Sequence, residues 1–315
     1  MAGMATRRRL WMGLGGAALV MAASTGAASA HAPPGAEPPA PSSTVSGVTV
    51  TAPEKPNPLV DPTTQFVRQH LPASTFSEQY PRFRDAICVK VQGLPPEFDA
   101  FVARRIGEIA AQVHAPVAKA ANCQPNVHVI FSPQPQALLA DIAKRKDILL
   151  GFYWNESNLK RLATFNRPIG GWYVTRTRGQ SGESRLEIHD PTDYLNPRVG
   201  RAGSRLSNGM STEVVHSLIL ADANKVAGEK IDAVADYIAV LALAKWQGLE
   251  RCNATPTILN LMAEGCADRP EAATSADLAL LAGLYSVDPR ELGSQQRATI
   301  ASAIRKADAS DKESR

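Results

Sequence analysis

The sequence predicts an α/β (α+β) fold: a mixed, mostly parallel sheet with an antiparallel edge hairpin, covered by helices. Three features point to it. Between residues 87 and 146, strand-like and helix-like segments alternate, the order in which crossover helices join parallel strands. A turn-rich string, Gly179-Gln180-Ser181-Gly182, separates β-like segments at 170–176 and 185–190 and marks a hairpin. A strand that is apolar on both faces, 214–221, feeds the strongest helical pattern of the chain, 230–246.

Ahead of these elements, residues 1–30 have the three parts of a secretory signal. Arg7, Arg8 and Arg9 form a cationic start, residues 10–23 are apolar, and Ala28-Ser29-Ala30 supplies small residues before His31. Cleavage is expected near Ala30; the Arg pair with its Gly-rich apolar stretch resembles a twin-arginine signal, with the ordinary secretory route as the alternative. Residues 31–65 form a Pro-rich spacer with few large apolar side chains, and too little surface to bury to offset the entropy of folding. A single globular domain, 66–307, follows, and the charged residues 308–315 are expected to be a flexible tail.

Within the domain, Ile87, Val89 and Val91 alternate with Cys88 and Lys90, a strand pattern. Pro95-Pro96 then opens a helix that places Phe98, Phe101, Val102, Ile106, Ile109 and Val113 on one face. Residues 126–131 predict a second strand and 136–146 a shorter helix. After the hairpin, a loop rich in Gly, Ser, Asn and Arg runs over 191–209. The helix at 230–246 has Ile231, Val234, Ala235, Ile238, Leu241 and Ala242 as its apolar face. Thr274 with Asp277 forms a capping box with Asp in place of Glu, ahead of a helix at 278–285. A last helix covers 295–306.

Charge and cysteine content narrow the function. The formal charge of +4 falls by three once Arg7–Arg9 are removed, which leaves no bulk basicity for a nucleic-acid binder. No run of 18 apolar residues follows the leader, so a multispanning membrane protein is excluded, and no transmembrane segment is expected after cleavage. Cys88, Cys123, Cys252 and Cys266 permit three pairings. Two respect locality, Cys88–Cys123 and Cys252–Cys266, each contributing roughly 2–4 kcal/mol. The spacing that a zinc knot needs is absent.

Catalytic patterns are sparse. None of the six histidines has another four residues away, so no helical metal motif exists. His128 and His216 lie on predicted strands and can approach each other, with Glu213 beside them as the remaining metal candidate. Each histidine is more often a satisfied structural residue than a metal ligand. A nucleophile elbow and a phosphate loop are both missing. Between 176 and 205, six arginines face Glu183, Glu187, Asp190 and Asp193. Arg178 and Arg185 could hold an anion, although a self-paired, solvated surface explains them as well. Trp172, Tyr173 and Val174 sit on the expected edge strand, where one of the two aromatics faces the core and the other solvent.

The order of elements from residue 87 to 285 resembles that of metzincin metallopeptidases. Thr257-Ile258-Leu259-Asn260-Leu261-Met262 looks like the Met-turn of that family. Its zinc helix carries HExxHxxGxxH, whereas 230–245 here contains no histidine, and its acids (Asp232 and Asp236, with Glu229 just ahead) cannot stand in for two imidazoles one turn apart. The chain also resembles a group of uncharacterised exported alphaproteobacterial proteins. It shares with them Ala235-Asp236-Tyr237, Pro256-Thr257-Ile258-Leu259-Asn260, and Leu284-Tyr285 through Asp288-Pro289. The ligand-free helix implies a catalytically silent, cofactor-free relative of the metzincin fold. With the export signal and the edge strand, it predicts a periplasmic or secreted domain that binds an unknown protein or peptide partner in the cell envelope. Strand addition at 170–176 is its expected mode of capture. A hydrolase with a site scattered through the fold is the alternative.

Overall fold

A computed structural model describes residues 61–120, 122–180, 182–188 and 209–313. The expected signal, most of the Pro-rich spacer and the loop 191–208 lie outside them, with His189, Asp190, Asp193, Arg198, Arg201 and Arg205.

Six strands form one mixed sheet: β1 (Arg82–Phe83), β2 (Val89–Gln92), β3 (Val127–Ser132), β4 (Ile169–Gly179), β5 (Ser184–Glu187) and β6 (Met210–Asp222). Their order is β2-β3-β6-β4-β5, with β1 also beside β6. The β2–β3, β3–β6 and β1–β6 pairs are parallel, and β4 runs antiparallel to both β6 and β5. The expected hairpin is therefore present, with β5 as its outer strand.

Eight helices are described: α1 (Pro62–His70), α2 (Pro96–Gln112), α3 (Pro135–Arg145), α4 (Glu156–Leu162), α5 (Ala223–Val226), α6 (Ile231–Leu243), α7 (Ser275–Ser286) and α8 (Gly293–Glu313). Among the described residues, none is long and apolar enough to cross a membrane. Strand periodicity divides the core. Val127, Val129 and Phe131 of β3 face the larger cluster, which includes Val102 and Ile106 of α2, Leu280 of α7, Ile300 of α8 and most of α6. Ile130 faces the other way, toward Leu139, Leu150, Trp172, Leu218 and Leu220 beneath α3 and α4.

The α6 helix is buried from Ala233 to Leu243, on all sides rather than along the single expected stripe. Its polar member, Asp236, accepts from Arg105 Nε at 2.5 Å and Nη2 at 3.0 Å, and from the Ala273 amide at 2.8 Å. No glycine ends the helix. Instead, Trp246 Nε1 donates to the Val240 carbonyl at 2.9 Å, Tyr173 to Leu241 at 2.7 Å, and Tyr285 to Leu243 at 2.8 Å. Side chains thus satisfy the terminal carbonyls that a left-handed cap would otherwise take.

Both local cysteine pairings are present, Cys88–Cys123 and Cys252–Cys266, with Cα separations of 6.0 and 5.1 Å. The Thr274–Asp277 capping box forms as expected. Asp277 also accepts from Thr257 Oγ1 at 2.5 Å and the Ile258 amide at 2.8 Å, fixing the 258–262 turn to α7.

Three expectations are corrected. The domain begins before Phe66, because Asp61 caps α1 through the Thr64 amide at 2.9 Å and Pro62 opens it. Phe98 is exposed, lying ahead of the stripe that α2 turns inward. Helix α8 continues through 308–313, where Ser275 Oγ donates to Asp311 and ties its last turns to the start of α7.

Candidate functional site

The side of β4 and β6 that faces α3 changes character along its length. Near the C-terminal end of β6, Trp172 pairs with Leu218 in register and both are buried. Toward its start, the same side of β4 carries Arg176 and Arg178, paired in register with Glu213 and Ser211. Alternation alone does not preserve this arrangement. Val174 pairs with His216 and Thr175 with Val214, so Val215 is an unmatched bulge residue where the apolar half gives way to the polar half.

Glu213 is buried and accepts from Arg176 Nε at 2.5 Å and Arg178 Nε at 2.7 Å. Arg176 also reaches Asp85 at 3.1 Å. Next to this cluster lies a cavity of about 560 Å³. Arg84 enters from the segment after β1, Arg178 from the end of β4, Ser211 from the start of β6, and Arg290 from the corner between α7 and α8. Its lining holds three guanidiniums and, among the described residues, no carboxylate. Arg84 Nη1 donates to Ser211 Oγ at 3.1 Å, a neutral partner. The Arg290 guanidinium has no hydrogen bond or ion pair among the described residues. Such a lining attracts anions, because each unpaired guanidinium presents its donors to whatever enters.

Arg178 and Arg185 do not act together. Arg178 pairs with Ser184, whereas Arg185 pairs with Thr177, so the antiparallel register puts the two arginines on opposite faces. The Arg185 guanidinium lies 6.0 Å from the Phe76 ring centroid, away from the cavity. The expected edge at 170–176 is corrected as well. Trp172, Tyr173 and Val174 are all buried. Trp172 donates to the Leu162 carbonyl at 2.8 Å, and the 3-10 turn at Asp147–Leu150 packs on β4. Gly151 approaches so closely that a Cβ there would stand 2.2 Å from the Tyr173 carbonyl oxygen.

His128 and His216 do meet, with His128 Nδ1 and His216 Nε2 2.8 Å apart and ring centroids 5.0 Å apart. Burial and the facing His128 push His216 down to about 4. Burial, then the nearby Lys90 ammonium, lowers His128 below the usual imidazole range. Both rings are neutral near pH 7 and share one N–H···N bond, while His216 Nδ1 is buried and has no hydrogen-bond partner among the described residues. Glu213 does not join them, because two arginines hold it, and Asp222 caps α5 through the Asn224 amide at 3.0 Å. Among the described residues, no group of three or more His, Cys, Asp and Glu side chains is placed to hold a metal.

On the opposite face, Glu187 is buried among hydroxyls. Ser74 Oγ donates to it at 2.6 Å, and Thr175 and Thr177 each at 2.5 Å. Burial lowers Lys245 below the usual ammonium range, and the charge of Glu187 opposes that shift. This cluster ties segment 74–79 to the hairpin. It was not anticipated, since Ser74 and Lys245 carry no local motif. Arg84 and Arg290 were likewise missed, because the fold alone brings them together.

Residues within 235–237, 256–260 and 288–289 act as latches between segments. Asp236 holds Arg105, Thr257 holds Asp277, Asn260 Nδ2 donates to the Asn253 carbonyl at 3.0 Å, and Gln79 donates to the Pro289 carbonyl at 2.8 Å. No protein-family model matches this chain, and comparison with curated proteins and with solved structures returns no match.

Proposed function

We propose that this chain is a non-catalytic, exported binding domain of the cell envelope that captures its partner through an anionic group seated in the arginine-lined cavity. The observation that carries this reading is the unpaired state of that lining: of its three guanidiniums, only Arg178 has a carboxylate partner among the described residues. Guanidiniums without a carboxylate partner keep their donors available to an anion. Two disulfides and the three-part leader support residence in an oxidising compartment, periplasmic or extracellular. The test is a titration of the full mature chain with a panel of soluble anions, read by calorimetry, alongside Arg84→Ala and Arg290→Ala. Anion binding that both variants weaken supports the reading; saturable binding that neither variant changes overturns it.

The neutral His128–His216 pair favours a second reading, a metal-dependent hydrolase, since neutral imidazoles are the form that ligates metals. Metal analysis of purified protein with a broad hydrolase screen tests it, and stoichiometric zinc with turnover would establish it.

A further inference from the structure

We infer that the anion recognised by this cavity is a phosphate monoester carried on an organic body, an inference that rests on the binding reading above and names its ligand class.

The first ground is the number and origin of the donors. A planar carboxylate is satisfied by the fork of one guanidinium, which meets its two oxygens side by side. Here Arg84, Arg178 and Arg290 come from three separate segments, and the Ser211 hydroxyl adds a fourth donor group. Donors arriving from different elements suit a tetrahedral group that offers three terminal oxygens in different directions. Guanidinium is also the side chain best matched to phosphate.

Charge is the second ground. Arg178 is already shared with Glu213, while Arg84 has only a neutral partner and Arg290 none among the described residues. Two uncompensated positive charges are neutralised by one phosphate monoester, which carries between one and a half and two negative charges near pH 7, roughly as phosphoserine does. The third ground is size. At about 560 Å³ the cavity far exceeds a bare phosphate, and Met210 and Pro289 give part of its wall an apolar surface. The remaining volume suits the group to which the phosphate is attached.

That attachment is either a small soluble molecule or a lipid headgroup, and the experiment separates them. The full mature chain is titrated with phenyl phosphate, with inorganic phosphate and with succinate. In parallel it is sedimented with phosphatidylcholine vesicles containing phosphatidate, and with matched vesicles containing phosphatidylserine. Phenyl phosphate binding at least tenfold tighter than succinate supports a soluble ligand. Selective sedimentation with phosphatidate supports the headgroup. In either case Arg84→Ala and Arg290→Ala should each weaken binding about tenfold or more, as expected for loss of a charge-assisted bond. Arg84→Lys, which keeps the charge without the fork, should recover only part of it. Succinate binding as tightly as phenyl phosphate, with the same sensitivity to both alanine variants, would overturn the phosphate assignment and leave the anion-binding reading standing. No binding of any probe by a chain that melts cooperatively would overturn both.

Discussion

The two halves of the α3-facing side of the sheet share the strands β4 and β6, yet they differ in register and in chemistry. In one half Trp172, Leu218 and Leu220 lie dry beneath α3 and α4. In the other, Arg176, Glu213, Arg178 and Ser211 occupy equivalent positions on the same two strands and border an open cavity. The unmatched Val215 marks the division, and the His128–His216 pair sits at it. A strand can therefore change from apolar core to polar cavity wall within a few residues when a bulge resets which side chains share a face.

Four changes break or sharpen this contrast. The largest effect is expected in the dry half. Leu220→Ala, at a fully buried position, should cost about 3 kcal/mol in chemical denaturation, the removed methyl groups and the cavity they leave acting together. The boundary should respond to pH. His216 titrates at about 4 when folded, against an ordinary value of 6.5, so the unfolded chain takes up the proton first. Stability is then undiminished above pH 6.5, falls as pH drops toward 4, and levels off below it. A fall of about 2 kcal/mol is expected after allowing for partial exposure, and His216→Phe should flatten this part of the curve. On the other face, Tyr173→Phe removes a hydroxyl that caps α6, at a cost of about 1 kcal/mol in the same assay. The smallest effect belongs to the wet half. Arg84→Ala and Arg290→Ala should change stability by less than about 0.5 kcal/mol, as thermal melts will show. A large destabilisation there would mean that these arginines hold the fold rather than a ligand.

How much of this was legible depended on how local each signal is. The Thr274–Asp277 box and the strand–helix alternation are encoded within short windows, and locality favoured the two disulfide pairings that form. Helix α1 went unseen because Pro62 reads as the last of the spacer prolines, although Asp61 before it is a capping residue. The grouping of the two hairpin arginines was not legible in the sequence. Only the antiparallel register shows that Arg178 and Arg185 project from opposite faces. Burial of Trp172 involves Leu150 of the 3-10 turn and that of Tyr173 involves α6, contacts between regions with no shared pattern. The cavity was the least legible of all, since Arg84 and Arg290 belong to opposite ends of the domain and meet only after the sheet and the α7–α8 corner have assembled.

The way α6 ends has a kinetic consequence. Its terminal carbonyls are held by hydroxyl and indole groups belonging to β4, to α7 and to the segment just after the helix. A free helix end frays one residue at a time, but this one can loosen only when strand and neighbouring helix release it together. Amide protons in the second half of α6 should therefore exchange with solvent only through global opening, and rank among the slowest of the domain.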